Sequence, residues 1–113
     1  MMLEYRTKKL KKQCEDPKAA KVDYGPNIGD RLTQRVGELK AATSLLDIKN
    51  IPAARLHKLE GNRSNEYAVD LVHPFRLVFT PILQNGIDIY KLDSINIVRI
   101  EEVIDYHGKQ RKQ

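Results

Sequence analysis

The amino-acid sequence predicts an α+β fold in which an N-terminal strand and several helices pack against an antiparallel sheet. Two observations predict it. Apolar side chains in the first half of the chain recur every three or four residues, as on one face of a helix, whereas those in the second half alternate, as in a strand. Turn-forming Gly, Asn and Ser residues separate the alternating runs. Helices followed by strands are typical of α+β proteins rather than of doubly wound parallel folds.

The chain begins with a predicted strand and two short helices. The strand is predicted over residues 1–7, where Leu3 and Tyr5 alternate with Glu4 and Arg6, and Thr7 is the predicted N-cap of a helix over 8–15. Pro17 ends that helix and opens a second one over 18–24, because proline disfavours helical geometry in the preceding residue but suits a first helical turn.

The longest helix is predicted over residues 28–46, after a turn at 25–27. Its apolar stripe has the spacing of a buried helix face and comprises Ile28, Leu32, Val36, Leu39 and Ala42/Thr43. Gly37 weakens this helix by about 1 kcal/mol relative to alanine, and we interpret it as a point of close approach. Residues 47–54 are predicted to be a connection.

Four strands are predicted in the second half, over residues 55–59, 66–72, 75–82 and 97–106. The segment 61–65 has the composition of a hairpin turn between the first two of them. The adjacent Glu101 and Glu102 interrupt the alternation of the last strand, which predicts either an edge strand or a bulge there.

Composition limits the protein to one globular domain. The chain has 113 residues, of which 41% are hydrophobic and 31% charged, and this suits a single core. No apolar run approaches the roughly 20 residues that span a bilayer, and no signal peptide is recognised. Cys14 is the single cysteine, so neither a disulfide framework nor a multi-cysteine zinc site is expected. We expect a cytoplasmic protein with no membrane partner.

Positive charge is concentrated toward both ends of the chain, which has a net charge of +5. Residues 1–31 carry eight basic and five acidic side chains, and residues 108–113 carry three basic side chains and no acid. We interpret residues 1–107 as a single domain and 108–113 as a basic C-terminal tail. Such a balance suits a polyanion, most commonly nucleic acid, although a solvated surface with a frayed tail has the same charge pattern.

Sequence motifs argue against several enzyme classes. Neither G-x-x-x-x-G-K-[ST] nor G-x-G-x-x-G is present, so a nucleotide cofactor site has no support. The three histidines lack the H-E-x-x-H spacing, and Cys14 lies among lysines rather than in a nucleophile motif. The sequence therefore supports neither a metal nor a cofactor.

Polar side chains on the predicted strands form the remaining candidate site. They are Arg55, His57, Arg63, Arg76, Asp105, Tyr106 and His107. In an antiparallel sheet these groups can converge on one surface, where they can cleave RNA without metal. A base removes the 2′-hydroxyl proton, an acid protonates the leaving 5′-oxygen, and cations stabilise the charge on the phosphate. Histidine suits the proton transfers near neutral pH, and arginine suits the phosphate.

Several of these residues also have interpretations without chemistry. Arg76 lies in the most apolar strand, where it can pair with Asp70 or Asp88. His57 can be a half-buried strand histidine with no role, and Tyr106 can be a ring at the edge of the core. The residue types alone do not choose between the two interpretations.

The order of these residues resembles the RelE/ParE superfamily of toxin–antitoxin toxins, and within it the HigB-like, host-inhibition branch. The resembling stretches are 10–16, 24–26, 35–42, R-L-H-K-L-E-G-N-R at 55–63, F-R-L-V-F at 75–79 and D-Y-H at 105–107. They cover most of residues 5–107 in order and spacing. The resemblance implies an N-terminal strand and two to three helices packed on a small twisted antiparallel sheet.

The resemblance also implies a function. Toxins of this kind cleave mRNA on the ribosome without metal and are neutralised by an antitoxin, here expected to be a helix-turn-helix DNA-binding protein. The implied catalytic residues are His107, Tyr106, Asp105, Arg76 and His57, and the implied RNA- or phosphate-binding residues are Arg63, Lys58 and Arg55. His107 is the implied general acid or base, and Tyr106 orients or stacks on an RNA base.

One departure from the family pattern lies in the predicted hairpin turn. Glu60 stands where several members have lysine, and an acid there repels phosphate, so the lysine's role either moves to Lys58 or is absent. A second hypothesis is therefore a non-nuclease protein on the same fold, either gyrase-directed or a catalytically weak toxin that acts by binding. A third, a basic ribosome-associated or DNA-binding module, lacks any helix-turn-helix or RNP signature.

Overall fold

The structure, a computed structural model that describes residues 1–106, contains a five-stranded sheet and four α-helices. The strands are β1 Met2–Tyr5, β2 His57–Lys58, β3 Tyr67–Asp70, β4 Phe75–Pro81 and β5 Ile97–Asp105. The helices are α1 Lys8–Glu15, α2 Pro17–Tyr24, α3 Pro26–Ala41 and α4 Leu45–Lys49. Short 3-10 turns lie at Pro52–Ala54, Gly61–Arg63 and Leu92–Ser94. The α+β class predicted from the sequence is confirmed.

The sheet has the strand order β1-β5-β4-β3-β2. The neighbours among β2, β3, β4 and β5 pair antiparallel, as predicted. β1 instead pairs parallel with β5, so that Met2 lies opposite Ile97 and Tyr5 lies opposite Ile100. Parallel neighbours need a long crossover, which the helices and the other three strands supply. The sheet is therefore mixed rather than wholly antiparallel.

The helices cover one face of the sheet and leave the other face open. On the covered face, Leu32 and Leu39 of α3 belong to the same core as Leu77 and Phe79 of β4. The open face carries a smaller cluster, which comprises Leu59, Ala68 and Val78 with Ile104 and Tyr106 packed against it. Because side chains alternate along a strand, Arg76 of β4 lies on this open face.

The first helix boundaries follow the capping residues of the sequence. The Thr7 hydroxyl accepts a hydrogen bond from the Leu10 backbone N–H at 3.0 Å, as expected of an N-cap. Asp16 ends α1, and its carboxylate accepts from the Lys18 backbone N–H at 3.0 Å at the start of α2. No helix within the described part of the chain is both long and apolar enough to cross a membrane.

The longest predicted helix begins two residues earlier than expected. α3 starts at Pro26 rather than Ile28, because the fixed φ of proline suits a first helical turn. The predicted turn at 25–27 is therefore confined to Gly25, whose φ of 85° is accessible mainly to glycine.

The same helix ends earlier than predicted, and a short helix follows it. α3 stops at Ala41, and Ala42 has extended backbone angles. The Ser44 hydroxyl accepts a hydrogen bond from the Leu46 backbone N–H at 3.3 Å and so starts α4. Such side chains offer backbone N–H groups an alternative to a continuing helix. The segment predicted as a connection over 47–54 consequently begins inside α4.

The first strand of the second half is shorter than predicted. β2 covers only two residues of the segment 55–59, because Arg55 has a left-handed backbone with a φ of 47°. The hairpin connection predicted at 61–65 is confirmed, and it contains the 3-10 turn Gly61–Arg63 between β2 and β3.

The bulge predicted in the last strand is confirmed. Val78 of β4 lies opposite Glu102, whereas the next residue, Phe79, lies opposite Ile100, so Glu101 is the extra residue of β5. The edge-strand alternative is wrong, because β5 lies between β1 and β4.

The close approach between helices occurs at Gly29, and the prediction that placed it at Gly37 is wrong. A Cβ atom on Gly29 would lie 2.8 Å from backbone atoms of Ala20 and Lys21 in α2. The corresponding position on Gly37 is exposed and has no neighbour within 4 Å among the residues described. Both glycines weaken the helix equally by residue type, so only the packing of α2 on α3 distinguishes them.

Two substitutions in α3 test this packing. We expect Gly29→Ala to lower the free energy of unfolding by roughly 1–3 kcal/mol, because the α2 backbone has to move away. We expect the matched control Gly37→Ala to raise it by about 0.5–1 kcal/mol, because alanine is the better helix former at an exposed site. Urea unfolding followed by circular dichroism measures both values. A stabilising effect of Gly29→Ala would contradict the close approach.

Candidate active site

The open face of the sheet brings Arg76 into contact with two other predicted site residues. Arg76 of β4 lies opposite Asp70 of β3 on one side and opposite Ile104 of β5 on the other. His57 lies one strand further away on β2, and Tyr106 directly follows β5. The Arg76 side chain contacts both of them. We refer to Arg76, His57 and Tyr106 as the Arg76 cluster.

The Arg76 guanidinium is held at its edges and on one face. Its Nη1 lies 3.4 Å from His57 Nε2, and its Nε lies 3.6 Å from the Asp70 carboxylate. Its Cζ lies 4.1 Å from the centre of the Tyr106 ring, a contact worth about 0.5–2 kcal/mol depending on desolvation. The side chain is 26% exposed, so part of it still reaches solvent. Arg76 thus forms the ion pair with Asp70 that was its interpretation without chemistry, and it also contacts two predicted site residues, His57 and Tyr106.

His57 is held as a neutral ring with a defined tautomer. Its Nδ1 lies 2.8 Å from the Arg55 carbonyl oxygen, which can only accept, so Nδ1 carries the proton and Nε2 faces Arg76. Burial is the main cause that lowers the pKa of His57 below 6.5, and the charges of Arg55 and Arg76 add to it. The hydrogen bond to the carbonyl and the charge of Asp70 act in the opposite direction. The imidazole is therefore largely unprotonated at neutral pH.

Tyr106 lies partly inside the small cluster on the open face. Its ring packs against the apolar residues there, and one face of the ring is covered by Arg76. Its phenolic oxygen is buried and has no hydrogen-bond partner among residues 1–106. A buried hydroxyl without a partner costs about 1–3 kcal/mol. Tyr106 is consequently both an edge residue of the core and a platform for a guanidinium.

The other two residues of the D-Y-H sequence are placed differently. Asp105 is the last residue of β5 and pairs with Phe75, and by alternation it lies on the opposite side of the strand from Tyr106. His107 and the predicted basic tail 108–113 lie outside the residues that the structure describes. The contacts given for the Arg76 cluster are therefore those among residues that precede His107 in the chain.

Arg63 is occupied by two carboxylates. It donates to Glu66 and, at 2.6 Å, to Glu102 of β5, and its side chain is 28% exposed. The hydrogen bond to Glu66 is the main cause that raises the pKa of Arg63. Two carboxylates on one guanidinium leave a net negative charge, so a phosphate has to displace at least Glu102 before Arg63 can bind it. Glu60, in the same turn, is exposed and adds a further acid.

Lys58 lies away from the Arg76 cluster. It pairs with Tyr67 on β3 and so faces the helix-covered side of the sheet, whereas the preceding His57 faces the open side. Its ammonium donates to the Ser64 carbonyl oxygen at 2.7 Å and lies 5.3 Å from the centre of the Tyr90 ring. The structure does not bring this lysine together with the other predicted site residues.

Sequence reasoning missed two residues that contact the site. The Asp70 carboxylate accepts from Arg55 Nε at 2.6 Å and from Arg55 Nη2 at 3.0 Å, in addition to its pairing with Arg76. The buried Arg35 donates to the Asp70 backbone carbonyl at 2.7 Å. Asp70 entered the sequence analysis only as one of two alternative partners of Arg76. The signal for it is the hairpin formed by β3 and β4, whose short turn places positions 70 and 76 opposite each other.

Other reactive groups do not extend the site. Cys14 is buried, and burial raises the pKa of its thiol to about 12, so it is protonated and a poor nucleophile at neutral pH. Over residues 1–106, no three histidine, cysteine, aspartate or glutamate side chains come together as metal ligands do.

Comparison with known proteins finds a distant structural likeness. No family model and no curated protein matches the sequence. Among solved structures, the chain is similar to a YoeB/ParE toxin from Agrobacterium tumefaciens, with 12% sequence identity and a TM-score of 0.46. The match covers 93% of this chain and 94% of the other. A likeness at this level carries no conclusion about function.

An NMR titration of His57 tests the electrostatics of the Arg76 cluster. We expect the pKa of His57 to lie below 6.5, and we expect Arg76→Gln to raise it because a positive charge is removed. Burial remains in that variant, so the rise is partial. Arg76→Lys keeps the charge and is the matched control, with a smaller expected change. An unchanged pKa in Arg76→Gln would contradict the close contact between the two side chains.

Proposed function

We propose that this protein is the toxin of a type II toxin–antitoxin system, a metal-independent endoribonuclease that cleaves mRNA on the translating ribosome. We assign it to the HigB-like branch of the RelE/ParE superfamily on the resemblance of its motifs. The observation that carries the proposal is the Arg76 cluster. The strand histidine, the R-L-x-F arginine and the D-Y-H tyrosine are distant in sequence, yet they lie in contact on one open face.

The Arg76 cluster has the chemistry of a nucleotide-binding surface. A guanidinium is permanently charged and presents forked donors that match phosphate oxygens. Arg76 uses one nitrogen toward His57 and another toward Asp70, and a quarter of its side chain is still exposed. The Tyr106 ring packs on one face of this guanidinium and so helps to hold the cation where a nucleotide would bind. The supported role of Arg76 is therefore to stabilise the negative charge that develops on the phosphate.

The proposed reaction is an attack by the RNA on its own phosphate. A base removes the 2′-hydroxyl proton, the 2′-oxygen bonds to phosphorus, and the bond from phosphorus to the 5′-oxygen breaks as an acid protonates that oxygen. The products are a 2′,3′-cyclic phosphate and a 5′-hydroxyl. His107, which directly follows Tyr106, is the proposed general acid or base. His57 keeps Arg76 oriented as a neutral ring, and Asp105 supports the geometry of the strand end.

The charge balance of the site supports a dependence on the ribosome. Arg63 is bound by two carboxylates and Arg55 by one, and Glu60 is exposed nearby. Among residues 1–106, this face thus offers few unpaired cations to RNA, and we propose that the ribosome supplies the remaining positioning. The basic residues of the N-terminal third and of the tail suit contact with ribosomal RNA. The proposed cytoplasmic partners are the ribosome, mRNA and a helix-turn-helix antitoxin.

A second candidate function is a non-nuclease toxin that acts by binding, whether to gyrase or to the ribosome. The pairing of Arg63 with Glu66 and Glu102 favours it, because that arginine is neutralised without RNA. Glu60 in place of lysine favours it as well. The two candidates differ in whether mRNA is cut.

Primer extension on a defined mRNA in a reconstituted translation system tests the proposal. We expect the wild-type protein to produce ribosome-dependent cuts, and we expect His107→Ala and Arg76→Ala to lower the cleavage rate by about 100-fold or more. Lys49→Ala, at an exposed position of α4 outside the site and outside the N-terminal third, is the matched surface control and is expected to cleave normally.

The outcomes separate the two candidates. Intact mRNA with translation still inhibited would contradict the nuclease proposal and support a toxin that acts by binding to the ribosome. Intact mRNA with normal translation would contradict both ribosome-directed functions and direct the search to gyrase.

A further inference from the structure

The contacts of Arg76 with Tyr106 and His57 do not by themselves define its orientation. A guanidinium stacked on a ring can still turn about the normal to that ring. The contact with His57 is 3.4 Å long, at the weak end of hydrogen-bond distances. The remaining contact is at Nε, on the side of the group that faces Asp70. This third contact is between two full charges, so its attraction opposes the rotation that the two uncharged partners allow.

We propose that Asp70 is the positioning residue for Arg76, and that Arg55 is the counter-ion that keeps Asp70 from neutralising it. The effect on RNA cleavage rests on the proposed function, whereas the effect on the Arg76 side chain does not. Neither role follows from the resemblance of the sequence motifs, in which position 70 has no part.

The distances around Asp70 divide its charge unequally between two arginines. Arg55 holds both carboxylate oxygens, at 2.6 and 3.0 Å, in the forked arrangement that arginine and carboxylate favour. Arg76 Nε is 3.6 Å away, which is an ion-pair distance rather than a short hydrogen bond. The negative charge of Asp70 is thus matched chiefly by Arg55. Arg76 gains a fixed neighbour and keeps most of its positive charge for a phosphate.

The backbone of Asp70 is anchored from the core. Its carbonyl oxygen accepts from Arg35 Nε at 2.7 Å, and Arg35 is only 2% exposed. Asp70 also lies directly opposite Arg76 in the β3–β4 register. A carboxylate on a one-carbon stem that starts from such a fixed backbone has little freedom, so it can hold a longer side chain in place.

The backbone of Arg55 supplies an independent indication. Its φ of 47° is the only positive value at a non-glycine residue within the described chain. A left-handed conformation costs such a residue roughly 1–2 kcal/mol, and strain of this kind is commonly found at functional sites. In this conformation the Arg55 carbonyl accepts from His57 Nδ1 while its side chain binds Asp70. One strained residue therefore contacts both of the other groups that orient Arg76.

Relaxation of the Arg76 Nε–H group, measured by ¹⁵N NMR on the full chain, tests the positioning role directly. We expect Asp70→Asn to make this group markedly more mobile and to lower the single-turnover cleavage rate on ribosomes by about tenfold. Asp93→Asn, an exposed carboxylate in a surface ion pair, is the matched control and is expected to change neither. Asp70→Glu keeps the charge and is expected to restore much of the order.

A second variant tests the charge. In Arg55→Gln, Arg76 is the one ion-pair partner left to the Asp70 carboxylate among residues 1–106, so we expect Arg76 to stay ordered while cleavage falls by about tenfold because the pair is neutral. Loss of Arg76 order in this variant would contradict the assigned division of charge. If Asp70→Asn does not fold, Arg55→Gln still tests the proposal, because loss of Arg76 order in it would contradict the positioning by Asp70.

The two proposals fail in different ways. If Arg76 is as ordered in Asp70→Asn as in the wild type, the positioning role is wrong, whether or not the wild type cleaves RNA. If the wild type leaves mRNA intact while Arg76 loses order in Asp70→Asn, the positioning role stands and the nuclease function is wrong.

Discussion

The arrangement of the molecule depends on one buried cation. Arg35 of α3 is 2% exposed, donates to the backbone carbonyls of Asp70 at 2.7 Å and Ala53 at 2.9 Å, and pairs with Glu38 at 3.0 Å. A guanidinium taken out of water costs several kcal/mol unless its donors are satisfied. These partners therefore hold α3, the end of β3 and the segment before β2 in one arrangement. That arrangement fixes the backbone from which the Asp70 and Arg55 side chains extend, so the candidate site is built on the core.

Most of the fold could be predicted, because burial and capping leave local patterns. The Thr7 cap, and the placement of Leu77 and Phe79 on the opposite face of β4 from Val78, are present in the sequence and in the structure. The end of α3 was mispredicted because the apolar stripe continues past Ala41, whereas the Ser44 cap stops the helix. The direction of β1 could not be predicted, since side chains alternate in the same way in parallel and antiparallel strands.

The residue types of the candidate site, and the face of the sheet on which they lie, could be predicted from the sequence. The ion pairs that these side chains form could not. Side-chain alternation along a strand places the adjacent His57 and Lys58 on opposite faces, as the structure has them. Which carboxylate an arginine binds depends on distances of a few ångströms between strands that are remote in sequence. Arg63 and Glu102 are 39 positions apart and became partners only through the sheet register and its bulge. The left-handed backbone of Arg55 has no counterpart in residue type, because arginine does not favour it.

The chemistry of the RNA ends tests the central claim most directly. Wild-type protein is incubated with ribosomes programmed with an mRNA, and a second mRNA carries a single 2′-deoxynucleotide on the 5′ side of the cut. An attack by the 2′-oxygen requires a 5′-hydroxyl on the downstream fragment, a 2′,3′-cyclic phosphate on the upstream fragment, and no cut at the deoxy position. A 5′-phosphate, or undiminished cleavage of the deoxy substrate, would contradict the account.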